Sequence, residues 1–165
     1  MTIDIVRRIV LFIVLLLAQA LVFGHVHLLG CATPFVIVHF VVTYPRSYPR
    51  WAGLLWAFFL GLLFDVFSNT PGLAAASLTL VAFVQPLVQE LFMPRDAAEN
   101  LKSALSTFGF SKYVVMMSVL VFLFCLTYFS LESFAFSNIL QWLMNVGGST
   151  VLTVLVLLVF ETLRK

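Results

Sequence analysis

Asp65 is the one acid in a stretch that is otherwise apolar from Trp51 to Phe67. An ionised group at the centre of a membrane helix costs about 2.5–3.5 kcal/mol on insertion scales, and less near the interface, so it faces protein or water. As a catalyst it would be half of an aspartyl pair, which needs a second carboxylate to share a proton. Glu132, the other acid expected on the same side, falls in a loop context. As an anchor it would accept hydrogen bonds from Ser68, Asn69 or the free N–H groups that open the next helix. Gly61 lies one turn earlier on the same face and removes side-chain bulk there. Thr70 can cap the following helix, with Pro71 in its first turn. Beyond Gly72, the small residues Ala74, Ala75, Ala76 and Ser77 let another helix approach closely. These residues favour an anchor over a catalytic acid.

Other polar residues support less chemistry. His25, His27 and Cys31 supply three candidate ligands where a closed metal site needs about four, so they read as loop residues without metal. His39 has no acid in its span and reads as a packing residue rather than a proton relay. Ser149, in Gly147-Gly148-Ser149-Thr150, has no evident base at matching depth, and the run suits helix packing. Gln85 and Gln89 flank Pro86, which predicts a kink whose freed carbonyl is satisfied by neighbouring side chains. Cys31 and Cys125 differ in depth and are expected as free thiols. No catalytic, cofactor-binding or metal-binding residue is expected.

The elements that must position these residues are membrane helices. The chain has 165 residues, of which 62% are hydrophobic and 10% charged, and its mean hydropathy is +1.12. That composition excludes an ordinary soluble domain. All nine Lys and Arg lie between apolar stretches: Arg7 and Arg8, Arg46 and Arg50, Arg95, Lys102 and Lys112, Arg164 and Lys165. Residues 24–33, 67–71 and 132–138 contain neither type. With six crossings every cation falls on one side, the cytoplasmic one by the positive-inside rule, together with both termini. A net charge of +2 then reports orientation rather than nucleic-acid binding.

An all-α membrane domain with spans at about 9–23, 26–44, 51–67, 72–93, 113–131 and 139–160 is expected over residues 1–165. The first could pass for a signal peptide with Ala18-Gln19-Ala20 as a cleavage site, but its removal would spoil the charge segregation. The second, interrupted by Gly30 and Pro34, is a short or kinked crossing. Trp51 and Trp56 would mark the cytoplasmic interface. Between the fourth and fifth spans, Asp96 and Glu99 form a variant capping box. Leu101, Ala104, Leu105 and Phe108 then share one face, as in a short helix lying on membrane lipid.

Residues Gly61-Leu-Leu-Phe-Asp65 and Asn69-Thr-Pro71-Gly72-Leu-Ala-Ala75, in a six-span chain of this length with basic cytoplasmic loops, resemble the rod-shape-determining protein MreD family. The resemblance covers the chain by architecture, and only residues 61–77 resemble a recognisable signature. It implies a fold like the substrate-binding subunits of energy-coupling vitamin transporters. It also implies a non-enzymatic place in the bacterial cell-elongation machinery of the inner membrane. There the partner is MreC, a single-span protein that connects MreB filaments to peptidoglycan synthesis by RodA and its transpeptidase. The alternatives are a small-solute-binding subunit of a transporter, which needs a polar-lined cavity, and an intramembrane protease, which needs a second carboxylate near Asp65.

Overall fold

The structure, a computed structural model, describes residues 2–22, 33–44, 49–92, 110–133 and 138–163. The loop carrying His25, His27 and Cys31 and the amphipathic segment at 96–108 lie outside the described residues. Helix α1, Thr2–Leu17, continues into a π-helical turn at Ala18–Val22. It is followed by the short α2, Val38–Val42, then α3, Arg50–Ser68, and α4, Leu73–Phe92. Helices α5, Phe110–Glu132, and α6, Ile139–Leu163, complete the bundle. Among the described residues every regular element is helical. Helices α3, α4, α5 and α6 are long and apolar enough to cross a membrane. About 20 residues at 1.5 Å each match a hydrocarbon core of about 30 Å.

The long helices are packed in chain order, α3 on α4, α4 on α5 and α5 on α6. Their outward faces carry Val66, Phe67, Phe83, Leu87, Phe122 and Leu155, all strongly exposed. Such surface is tolerable because lipid, not water, is the expected neighbour. Pro86 sits inside α4, and the helix continues through it to Phe92.

The second expected span looks different. Within residues 33–44, α-helix is confined to the five residues of α2, a rise of only about 7.5 Å. Pro34 removes a backbone donor and disfavours helix at Thr33. What the segment lacks in helix it has in burial: Val36, Ile37, Val38, Val41 and Val42 have no exposed surface, and Phe35 and Phe40 almost none. Irregular backbone is tolerated at membrane depth when it is surrounded by protein, and here the segment forms the centre of the core.

Aromatic rings fix this core at two levels. Phe12 of α1 meets Phe40 and Trp56 edge-on, with centroids 5.8 and 5.5 Å apart. Phe35 is ringed by Phe124, Tyr128 and Phe129 of α5, at 5.1, 4.9 and 6.1 Å. Trp56 therefore packs against the interior rather than joining an interfacial belt, while Trp51 is 69% exposed at the start of α3. On a helix of 3.6 residues per turn the two point about 140° apart, a distinction that hydropathy does not carry.

Candidate functional site

The turn between α3 and α4 is built around Asp65. Helix α3 ends where Asn69 adopts a left-handed conformation, φ 55°, which Asn tolerates better than other non-glycine residues. The N–H groups of Asn69 and Thr70 then return to the Asp65 carbonyl. Gly72 follows with φ 84°, and α4 begins at Leu73. A helix start normally receives a cap from the side chain just before it, but glycine has none to offer. The Asp65 carboxylate supplies it from the preceding helix. Ala74 N–H donates to Oδ1 and Ala75 N–H to Oδ2, each at 2.9 Å. Thr70 Oγ1 donates to Oδ1 at 3.1 Å.

Of the donors expected for Asp65, the free N–H groups of the next helix are the ones used, and the expected roles of three neighbours are corrected. Thr70 does not cap α4; its hydroxyl is spent on the carboxylate that does. Ser68 and Asn69 side chains are not the donors to Asp65. The reason is reach: Asp65 lies opposite the first turn of α4 because α3 and α4 nearly touch at Gly61. A Cβ placed on Gly61 would stand 2.5 Å from Ala75 Cα and 2.6 Å from the Ala74 carbonyl oxygen. Ala74, Ala75 and Ser77 are buried, with Ala75 in the contact itself, whereas Ala76 points away and is exposed. Pro71 is exposed in the turn, ahead of the first helical turn rather than within it. Asp65 itself is 4% exposed.

Tyr128 of α5 borders this junction, its hydroxyl near that of Thr70 and within electrostatic range of Asp65 and Glu132. Glu132 is exposed at the end of α5. Both oxygens of Asp65 already face main-chain donors, so the carboxylate is engaged as an acceptor rather than directed at a cleft.

A second polar system surrounds the buried segment. The Gln19 amide, in the π-helical turn, spans Phe35: its Nε2 donates to the Pro34 carbonyl at 2.9 Å, and its Oε1 accepts from Val36 N–H at 2.7 Å. On the other edge, Phe35 N–H donates to Thr153 Oγ1 at 2.9 Å and Thr33 N–H to Ser149 Oγ at 3.0 Å. Further along, Gln89 Nε2 donates to the Tyr44 carbonyl at 2.8 Å, with Gln85 at a longer 3.4 Å. The two glutamines thus hold the end of the buried segment, a role beyond the proline kink expected of them. Ser149 faces inward to this system, while Gly147 faces open space.

Gln19 and Thr153, which hold the buried segment, are the site residues that sequence reasoning missed. The available signal was polarity itself: uncharged polar residues deep in apolar helices face protein partners. His39 is buried on α2, and Cys125 is a buried free thiol beside Thr150. Among the described residues no cluster of three or more His, Cys, Asp or Glu could hold a metal ion. Comparison of the chain with protein-family models, with curated proteins and with solved structures finds no match.

Proposed function

We propose that this chain is a non-enzymatic, six-span subunit of the bacterial cell-elongation machinery, similar to MreD, in the inner membrane with both termini cytoplasmic. Its partner is an MreC-like single-span membrane protein, and through it MreB, RodA and the elongation transpeptidase. The observation that carries the reading is the junction of α3 with α4. The residues of the MreD-like run, Gly61, Asp65, Asn69, Gly72 and Ala75, are those that make this helix junction. Gly61, Asp65 and Ala75 form the contact, Asn69 and Gly72 shape the turn beside it through their positive φ, and Pro71 is exposed in that turn; a run given over to helix junction suits an assembly subunit. The bundle centre supports it as well, being occupied by Phe35, Ile37 and Phe40 where a solute-binding subunit needs a polar cavity.

The test is co-purification in detergent with an MreC-like single-span protein. Wild type should retain it stoichiometrically, and Gly61→Leu and Asp65→Leu should insert but retain less. No capture by wild type would remove the partner assignment. Full capture by both variants would show that the junction does not organise the interface.

A further inference from the structure

Residues Thr33–Val36 cross the bundle interior without regular structure, and side chains rather than main chain satisfy their three N–H groups and the Pro34 carbonyl. Gln19 takes one edge from the end of α1. Ser149 and Thr153 take the other from α6. Among the described residues, helices α1 and α6 form no extended interface with each other. The segment therefore ties together two elements that are otherwise apart. Helix α6 is also the least covered of the four long helices: 22% of its span is buried, against 39% in α3 and 44% in α4 and α5.

We propose that Thr33–Val36 is a releasable strap that closes a lateral seam between α1 and α6. This rests on the fold and not on the functional reading above. The ties to α1 and α6 run through the side chains of Gln19, Ser149 and Thr153, which can change rotamer, while the main-chain bonds from Val38 N–H to Phe35 O and from His39 N–H to Val36 O stay within the segment and α2. On the α6 side release leaves acceptors unmade, not donors: Ser149 and Thr153 accept from the strap, and their own hydroxyl hydrogens can be given to a carbonyl one turn back, as Thr150 gives to Val146 O and Ser118 to Val114 O. The donors set free are the N–H groups of Thr33, Phe35 and Val36, which the opened state must satisfy elsewhere. Side-chain hydrogen bonds in membranes are individually weak because an opened state also finds partners. Phe35, seated among Phe124, Tyr128 and Phe129, gives the closed state its apolar anchor. Opening would expose that aromatic pocket toward the acyl chains between α1 and α6.

Hydrogen exchange with peptide-level mass spectrometry, on the full chain in lipid nanodiscs, tests the strap. In wild type the amides of 33–36 should exchange at least roughly tenfold faster than those of the α3–α4 junction, as expected of a unit that opens below the global unfolding energy. Gln19→Leu and Thr153→Val should each raise strap exchange by roughly tenfold more, through lost hydrogen bonds, and leave α3 and α4 unchanged. Thr153→Ser keeps the acceptor and should match wild type. Exchange of strap and junction at one common rate in wild type would overturn the proposal. So would equal acceleration everywhere in the variants, or none in the strap. If Gln19→Leu does not fold, the contrast between Thr153→Val and Thr153→Ser decides.

Discussion

Asp65 offers its two oxygens to two N–H groups that point the same way, and this sets a ranking of substitutions. Asn keeps one acceptor, for Ala74 N–H and Thr70, but turns an NH2 donor toward Ala75 N–H. Leu removes both acceptors. Each buried donor left without a partner costs about 1–3 kcal/mol, and the charge that favours a helix N-terminus is lost in both variants. Thermal melts in detergent should therefore order wild type above Asp65→Asn above Asp65→Leu, and an Asn variant as stable as wild type contradicts the carboxylate cap. The glycines supply a contrast in sign. Gly61→Ala puts a methyl group against main chain that cannot yield unless the helices part, and over-packing of this kind costs about 1–3 kcal/mol. Gly147→Ala meets no atom within 4 Å and should stabilise by about 0.5–1 kcal/mol through helix propensity. If both substitutions shift the melting temperature the same way, the close approach of α3 and α4 is not what glycine is there to permit.

At the scale of elements, legibility followed the physics that shapes each one. Helices α3 to α6 were readable because hydropathy and length decide a membrane helix almost unaided. The close contact of Gly61 with the start of α4 was readable too, since an intramembrane acid must face protein and a glycine one turn away opens that same face to a neighbouring helix. The form of the buried segment was not. Residues 34–44 are as apolar as a lipid-facing span, and only their neighbours turn them into core with a single short helix. The α4 cap was legible in part: local sequence offers Thr70 as the cap, the free N–H groups of α4 were one of the donor sets expected for Asp65, and tertiary proximity selects that one. Where partners are tertiary, bond length can rank them. Gln89 holds the Tyr44 carbonyl at 2.8 Å and Gln85 at 3.4 Å, so Gln89→Leu should destabilise more. The expected loss is about 0.6–1.7 kcal/mol, the range for hydrogen bonds within membranes. Equal melting temperatures for Gln85→Leu and Gln89→Leu would show that bond length does not rank them, and melting at the wild-type temperature in both would mean that neither bond matters to the fold.

For the whole molecule, the distribution of Lys and Arg makes an orientation testable apart from any partner. In a background of Cys31→Ala and Cys125→Ala, Ser68→Cys and Ser133→Cys should react with an impermeant thiol reagent from outside intact cells. Tyr48→Cys should react only after the membrane is opened. Labelling of Tyr48→Cys in intact cells would overturn the proposed six-crossing arrangement and its orientation with it. The capping of α4 by α3 has a further consequence, for how the chain is made. As α4 enters the bilayer, the N–H groups of Ala74 and Ala75 have no cap from Gly72 and would meet hydrocarbon unsatisfied. Each such group costs several kcal/mol there. The acceptor that relieves them is nine or ten residues earlier in the nascent chain, on a helix that itself carries a polar carboxylate toward hydrocarbon until those donors arrive. Each helix thus cancels the other's insertion penalty, and α3 should wait at the translocon until α4 emerges, so that the two partition into lipid as one hairpin.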